Sequence, residues 1–279
     1  MGTPLGEFIR AKRDRTQPAD LGLPAGPPRR APGLRRTELA ARAGISVEYL
    51  TRIEQGRDRN PSVSVVNAIA DALSLDVAER RHLSYLAKIS GGACAAVRHR
   101  EPPPRHVRPE VLHVLRLLEP AVAVITNRLG DVLACTTGFR ALMDATGLLE
   151  PEAANLTRYV FTDPRARSAF PDWGRVADEQ AFSLWLGPSV ASSEWFKAEL
   201  APVAGPEFTS RLSQHLPPPR GQLRMRHPAI EHELSWERET LELPAPDEQQ
   251  LIVYLPADER TARALGVLRQ ERQPRLRAS

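Results

Sequence analysis

The strongest constraint on the fold lies in residues 39–56, which read LAARAGISVEYLTRIEQG. Two short apolar-periodic segments are separated by Gly44, and glycine readily adopts the left-handed conformation that ends a helix. Ser46 stands where a hydroxyl can cap the next helix, and Gly56 closes that helix. The spacing therefore predicts two short helices joined by a tight turn.

The packing of this helix pair follows from the same residues. Ala40 is small enough for the two helices to approach closely. Ile45, Leu50 and Ile53 supply the apolar seam between them. The side chains left on the outer face of the second helix are those of Val47, Glu48, Thr51, Arg52 and Gln55. In a helix-turn-helix unit, residues near the start of the second helix meet base edges in the major groove of DNA.

The neighbouring segments define the domain boundaries. Leu5, Phe8 and Ile9 have the spacing of one amphipathic helix, and apolar residues within 63–73 and 83–86 predict two more. The front of the chain, residues 1–90, is therefore predicted to be an all-α domain. Glycine and proline enrichment predicts a linker over 91–108, followed by a second domain over 109–279.

The formal net charge of +4 is unevenly distributed. Residues 1–110 contain 19 Lys and Arg against 12 Asp and Glu, whereas residues 111–279 contain 19 against 22. A basic front and a mildly acidic back predict that only the first domain contacts a polyanion. Arginine dominates, which suits forked contacts to phosphate and guanine, although a GC-rich genome would enrich arginine as well.

At residues 39–56 the chain resembles the bacterial XRE-type helix-turn-helix domain. The resemblance implies sequence-specific binding to double-stranded DNA. The base-reading residues that it implies are Val47, Glu48, Thr51 and Arg52. Arg52 would donate to O6 and N7 of guanine, and Glu48 would accept from a cytosine amino group. The residues that it implies as DNA-backbone contacts are Arg35, Arg36, Thr37, Ser46, Arg57, Arg59 and Asn60.

The segment between the first two predicted helices is long for such a domain. It covers about 17 residues, Gln17 to Gly33, and leads into PPRRAPGLRR, so four arginines precede the helix that crosses the DNA backbone. This extended arrangement is similar to that of the MmyB-like transcription regulators. A loop with incidental charge is the alternative.

The second block combines helix and strand patterns. Apolar runs predict strands at 121–125, 132–134, 222–226, 232–236 and 251–255, with helices before the first and between the second and third. Two strands, a helical middle and three strands describe an α+β domain of PAS-like architecture. We expect a single antiparallel sheet with helices on one side.

The resemblance to the MmyB-like family extends over this block. The residues that carry it are Asn155-Leu156, FTDP at 161–164, Asp172-Trp173, RHP at 226–228 and LIVY at 251–254. It implies a ligand-binding domain for a hydrophobic, fatty-acid-like molecule. The apolar residues expected to line the pocket are Phe139, Leu142, Met143, Tyr159, Phe161, Phe170, Trp173, Phe182, Trp185 and Trp236. Ordinary core packing is the alternative for each of them.

Two segments differ from the pattern of that family. Cys135-Thr136-Thr137 stands where the family has an aromatic-Asn-Pro turn after the second strand. The run HLPPPR at 215–220 is also unusual for a basic stretch that leads into a strand.

Other classes of function have no support in the sequence. There is no phosphate-binding glycine loop and no GxSxG elbow, so we predict no catalytic residues and no cofactor. Cys94, His99, His106 and His113 match no zinc-finger spacing, and no metal site is predicted. Cys135 has no charged neighbour in the sequence that would activate its thiol. No apolar run approaches the ~18 residues of a membrane span, and no signal peptide is evident, so we expect a cytoplasmic protein that is nucleoid-associated when bound to DNA.

Three functions remain open at this point. The first is a DNA-binding transcription regulator, not an enzyme, whose second domain senses a small hydrophobic molecule. The second is a DNA-binding adaptor whose second domain binds a protein partner, and the third is a diverged enzyme fused to a DNA-binding domain. A homodimer is expected for the first because paired half-sites add contacts and specificity.

Overall fold

The computed structural model describes two compact units in one chain. The residues that it describes are 3–23, 33–90, 103, 105–185, 193–214, 222–243 and 249–272. Most of the predicted linker, the arginines at positions 29 and 30, Cys94, His99 and the run at 215–220 lie outside these residues. Within the described parts of the chain, no helix combines the length and the apolar character that crossing a bilayer requires.

The first unit is built from five helices. They are α1 (Pro4–Arg15), α2 (Arg36–Arg42), α3 (Val47–Glu54), α4 (Val63–Ala72) and α5 (Val77–Ser90). One short 3-10 turn, Pro18–Leu21, follows α1. The all-α prediction for this part of the chain is confirmed, and each helix lies where the apolar periodicity indicates.

Every one of these helices contributes to a single hydrophobic core. Leu5, Phe8 and Ile9 of α1 pack in one cluster with Leu50 and Ile53 of α3. The other helices contribute further buried members, namely Leu39, Ala40, Val66, Ile69, Ala70, Ala72, Leu83, Leu86 and Ala87. Because these short helices bury their apolar stripes together, none of them needs to be stable alone.

The second unit has an α+β fold. Its strands are β1 (Val122–Asn127), β2 (Val132–Cys135), β3 (Leu223–Met225), β4 (Leu234–Glu242) and β5 (Gln249–Pro256). The later helices of the chain are α6 (Pro109–Leu117), α7 (Thr137–Met143), α8 (Leu156–Thr162), α9 (Arg165–Ala169), α10 (Trp173–Ser183), α11 (Glu194–Gln214) and α12 (Glu259–Arg272). A 3-10 turn, Asp144–Thr146, follows α7, and Gly205 kinks α11.

The five strands form one antiparallel sheet in the order β2-β1-β5-β4-β3. The predicted strands are thus confirmed in number and location. The largest difference is in β4, which runs on to Glu242, whereas the sequence predicts a strand that ends at 236. The residues after 236 are mostly charged and exposed, and pairing along the whole length of β5 keeps them in the strand.

Helices pack on both faces of the sheet. Val122 and Val124 on β1 belong to the large core on one face, together with Trp236 and Tyr254. The alternate residues of the same strands, including Ala123 and Ile125 on β1 and Leu251 on β5, pack against Val111 and Leu115 of α6. The expectation of helices on one side only is therefore wrong, because α6 covers part of the opposite face.

Two polar side chains, those of Asn155 and Thr136, hold the starts of α8 and α7 against the strands β1 and β2 and the turns next to them. Asn155 caps α8 by accepting from the Arg158 amide at 2.7 Å, and its side-chain amide donates to Asp131 and to the Leu129 carbonyl at 3.0 Å. Thr136 caps α7, and its hydroxyl donates to the Ala121 carbonyl at 2.6 Å. Thr136 therefore anchors the turn after β2, at the position where the sequence departs from the family pattern.

His82 on α5 is a buried titratable group in the core of the first unit. It is 2% exposed and lies edge-on to the ring of Phe8, with 5.0 Å between the ring centroids. Burial, together with the nearby positive charge of Lys12, lowers the pKa of His82 to about 4 from an ordinary value of 6.5. His82 is therefore neutral in the folded protein near neutral pH.

We predict that the first unit loses stability as the pH falls from about 6.5 towards 4. In this window the unfolded chain binds a proton that the folded chain excludes, so acid favours unfolding. The loss reaches roughly 3 kcal/mol, at about 1.4 kcal/mol per pKa unit. Amide hydrogen exchange in α1 and α5 as a function of pH measures it. His82→Gln should flatten the profile and the exposed His113→Gln should not; an equal slope in both variants would contradict the assignment.

Candidate nucleic-acid interface

The second helix of the predicted helix-turn-helix, α3, has both of its ends defined by local interactions. Gly44 has a φ of 64° and ends the preceding helix in the left-handed conformation. The Ser46 hydroxyl accepts from the Tyr49 amide at 3.1 Å, which caps α3 as predicted. Gly56, with a φ of 70°, follows the end of α3. The helix is therefore short and its orientation is fixed at each end.

The two faces of α3 differ sharply in exposure. Leu50 and Ile53 are 0% exposed, whereas Val47 is 40% exposed. Glu48 and Arg52 are exposed and Thr51 is partly exposed, and the Thr51 hydroxyl donates to the Val47 carbonyl at 2.7 Å. The structure thus brings the four residues predicted to read bases together on the outer face of one helix.

Arg52 is also linked to the loop that follows the helix. Its guanidinium lies 3.5 Å from a carboxylate oxygen of Asp58, and the Asp58 amide donates to the Arg52 carbonyl at 3.2 Å. Tyr49 stands close by, and its pKa is raised by burial and by the negative charge of Asp58. The guanidinium of Arg52 is therefore oriented by an ion pair but remains about half exposed, since 53% of its side chain is accessible.

The predicted DNA-backbone contacts flank this helix. All seven residues are exposed, namely Arg35, Arg36, Thr37, Ser46, Arg57, Arg59 and Asn60. Three of them lie at the start of α2, one caps α3 and three lie in the loop after α3. Helix starts and such loops present donors that suit phosphate oxygens.

Glu54 is a residue at this site that the sequence patterns did not indicate. It is 0% exposed, and its carboxylate accepts from Arg13 of α1 at 2.7 Å and from Arg36 of α2 at 2.6 Å. The Glu54 carbonyl also accepts from Arg10 at 3.3 Å. This Glu54 ion-pair network joins α1 and α2 to α3 and so determines where α3 lies. The signal was present, because Glu54 follows Leu50 by four residues and so occupies the buried face of the helix.

The close approach of α1 to α3 depends on a glycine. A Cβ atom at Gly6 would lie 2.6 Å from the Glu54 carbonyl oxygen and 2.7 Å from that of Ile53. Both distances are below any normal contact, and both involve backbone atoms that cannot move aside. Gly6 therefore permits the spacing at which Arg10 and Arg13 reach Glu54.

The interior of the second unit contains the residues predicted to line a ligand pocket. Nine of the ten are buried, and Phe161 is partly buried. The members of the large core cluster are Phe139, Leu142, Met143, Tyr159, Phe170, Trp173 and Trp236, with Phe161 packed against them. Phe182 and Trp185 are buried at the end of α10 and just after it. The structure therefore brings eight of the ten into one apolar cluster between the sheet and the helices.

Several of these aromatic side chains have polar partners. The Tyr159 hydroxyl donates to the Thr146 carbonyl at 2.9 Å, and the Trp173 indole donates to the Val160 carbonyl at 2.8 Å. Trp236 is different: its ring is 0% exposed, and its indole N–H has no hydrogen-bond acceptor among the described residues. A buried donor of this kind is uncommon in folded proteins.

An open cavity of about 410 Å³ lies beside this cluster. Its walls come from the 3-10 turn after α7, from α9 and from the loop between β3 and β4. Ala169 belongs both to the lining of the cavity and to the core cluster, whereas none of the ten predicted residues lines the cavity. Arg165 and Arg226 stand at its rim, and each already pairs with a carboxylate at 2.7 Å, from Glu150 and Glu233 respectively.

Comparison with known families agrees with this two-part organisation. The family described as the MmyB-like transcription regulator ligand binding domain matches residues 107–268. A family described as a helix-turn-helix domain matches residues 4–83. Both are domains of transcription regulators. No curated protein matches the chain.

We predict that Glu54→Gln destabilises the first unit by roughly 3–5 kcal/mol, because it removes the charge that compensates the buried Arg13. The expected result is faster amide exchange throughout α1, α2 and α3. Glu48→Gln is the matched control, since Glu48 lies on the exposed face of the same helix and should change exchange little. Equal protection in the two variants would contradict the role assigned to Glu54.

Proposed function

The chain belongs to the MmyB-like transcription regulators, and from this membership we propose a ligand-responsive regulator that recognises a specific DNA sequence. The two family matches show a DNA-binding transcription regulator with a ligand-binding domain. We propose in addition the roles of individual residues, the class of ligand and the oligomeric state. We also propose that the protein acts in the cytoplasm, at the nucleoid.

The observation that carries the DNA-binding part is the exposed face of α3. Val47, Glu48 and Arg52 project from a capped helix whose other face is fully buried. Arg52 would donate to O6 and N7 of guanine, Glu48 would accept from a cytosine amino group, and Val47 would contact a thymine methyl group. Thr51 completes the reading face.

The exposed residues around α3 support a positioning role on the DNA backbone. Arg35, Arg57 and Arg59 are cationic and lie near the helix ends, where contacts to phosphates fix the register of the protein on the duplex. Arg36 already pairs with Glu54, so its contact with a phosphate would join the DNA backbone to the Glu54 ion-pair network. A homodimer would place two copies of α3 in successive major grooves, about 34 Å apart.

The second domain is proposed to be a PAS-like sensor of a hydrophobic, fatty-acid-like molecule. The strand order and the helical middle support the architecture. The aromatic cluster supplies apolar walls, and the buried Trp236 indole N–H offers a hydrogen bond to a ligand oxygen. The cavity beside Ala169 would be the route of entry. Arg165 and Arg226 at the rim already pair with carboxylates of the protein. We therefore expect the cavity to recognise the apolar part of the ligand and not a charged group.

A ligand of this domain can change DNA binding only if it prefers one arrangement of the protein over another. The DNA-bound and the free protein must therefore differ in their affinity for the ligand. By linkage, DNA must change the affinity for the ligand by the same factor.

A DNA-binding adaptor that binds a protein partner is the second candidate. Exposed apolar side chains on the second unit favour it, among them Leu117, Leu241 and Leu255. Such side chains are typical of an interaction surface when they lie close together.

We predict that Arg52→Ala weakens binding to the DNA sequence that the protein selects from random duplexes. The expected loss is ~1–3 kcal/mol on that sequence and little on random DNA, because the contact is to a base. Arg57→Ala is the matched control and should weaken both by similar amounts, as a phosphate contact does. Fluorescence anisotropy measures both affinities. Equal losses on the two DNAs for Arg52→Ala would make Arg52 a backbone contact.

We predict that the purified protein carries an apolar molecule that organic extraction removes. Native mass spectra before and after extraction detect the bound mass, and added palmitate should restore it. Ala145→Phe should block uptake, because Ala145 lines the cavity and a large side chain there would fill the entrance. Ala229→Phe is the control, since Ala229 is an exposed neighbour outside the cavity lining. A folded protein that holds no molecule and takes up no palmitate would favour the adaptor.

A further inference from the structure

Among its described residues, the second unit exposes an apolar surface on the face of the sheet that carries α6. We call it the outer sheet surface and define it by Val114 and Leu117 on α6, Leu241 on β4 and Leu255 on β5. These side chains are 46%, 71%, 52% and 44% exposed. They are four of the ten large apolar side chains that are exposed among the described residues.

These residues lie around one small apolar cluster, which joins α6 to β1 and β5. Leu241 pairs across the ladder with Leu251, a buried member of the cluster under α6. Val253, two residues before Leu255, packs against the same cluster. Val114 and Leu117 lie one turn apart on α6, beside the stripe of Val111 and Leu115 that packs on the sheet.

The charges around this surface have opposite signs on its two sides. On β4, Glu237 and Glu239 are exposed and lie on the same face as Leu241, because every second residue of a strand points to the same face. On α6, His113 and Arg116 are exposed near Leu117, and Glu110 is the only acidic residue of that helix. β5 separates the acidic β4 from β1, the strand that α6 contacts, so the acidic strand and the basic half of the helix stand on opposite sides of the surface.

We propose that this outer sheet surface is the place where a second copy of the chain docks. A two-fold axis would bring the α6 helix of one copy over β4 of the other, so that Arg116 of each copy meets Glu239 of the other and the leucines pack together. The pattern is self-complementary, which an isologous interface requires and which an unrelated partner does not. The inference specifies the surface for the homodimer named in the proposed function and rests on that function.

The area of the outer sheet surface is large enough for a dimer interface. β4 has nine residues and β5 has eight, so at ~3.4 Å per residue the two strands extend for roughly 30 Å. With the ~10 Å width of α6 beside them, the face is of the order of the ~800 Å² that a stable dimer buries on each partner.

The test is the oligomeric state of the full chain without DNA, measured by sedimentation velocity over a range of concentrations. The wild type should form a dimer. Leu241→Glu and Leu117→Glu should each raise the dimer dissociation constant by roughly 30-fold or more, because each places a charge in the apolar centre. Val203→Glu, at an apolar side chain that is 67% exposed on α11, is the control and should leave the dimer unchanged.

A charge exchange tests the orientation of the two copies. Glu239→Arg should weaken the dimer about tenfold, and Arg116→Glu added to it should restore the dimer, because the pair is then re-formed across the axis. A monomeric wild type, a dimer that survives both leucine changes, or a charge exchange that does not restore association would each overturn the proposal.

Binding to DNA is scored separately on the same proteins. A wild-type monomer that still selects a DNA sequence would overturn the docking surface and leave the regulator function standing. A dimer that responds to these variants but binds no specific DNA would support the docking surface and overturn the regulator function.

Discussion

The carboxylate of Glu54 is the group on which the geometry of the first domain depends. It is fully buried between Arg13 and Arg36, so it joins α1 and α2 to the end of the helix that carries the proposed reading face. A buried charge is tolerated only when its partners are held in good geometry, and here Gly6 allows α1 to come close enough. Rotation or sliding of α3 would break these bonds. The same network therefore stabilises the fold and fixes the direction in which Val47 and Arg52 point.

The arrangement of the second domain depends on a different constraint: successive side chains of each strand point to opposite faces of the sheet. β1 and β5 are apolar on both faces, as strands covered on both sides must be. One face supports the aromatic cluster proposed to hold the ligand, and the other supports α6 and the surface proposed for a second copy. The outer face of β4 is more exposed to solvent. Glu237 and Glu239 lie on it, whereas Trp236 and Arg238, which point to the opposite face, are buried or half-buried. One sheet can therefore serve a ligand on one side and a partner on the other.

Local chemistry made much of this structure predictable. Gly44, Ser46 and the spacing of Leu50 and Ile53 are sufficient to define the helix pair, because caps and apolar stripes act over a few residues. The order of strands and helices in the second domain follows from apolar runs for the same reason. The membership in the MmyB-like family, suggested by residues spread over both domains, is confirmed by the family matches.

The features that were missed depend on contacts between distant residues. Glu54 and Arg13 are 41 residues apart in sequence, so nothing local indicates that they pair. The position of α6 on the opposite face of the sheet depends on which stripe of a short helix is buried, and Val114 and Leu117 are as apolar as the residues that pack. The cavity beside Ala169 is formed by three separate segments, and none of the aromatic residues chosen from the sequence lines it. The roles of those ten residues remain a prediction.

The exposed face of α3 is proposed to lie against the bases of a specific DNA sequence. Photo-crosslinking tests it most directly, with benzoylphenylalanine in place of Val47 on α3 or of Val77 at the start of α5. The two valines are 40% and 68% exposed, so solvent exposure alone would favour a crosslink from position 77. We expect crosslinks from position 47 to bases within the selected sequence and none from position 77. Equal crosslinking from both positions, or none from position 47, would contradict it.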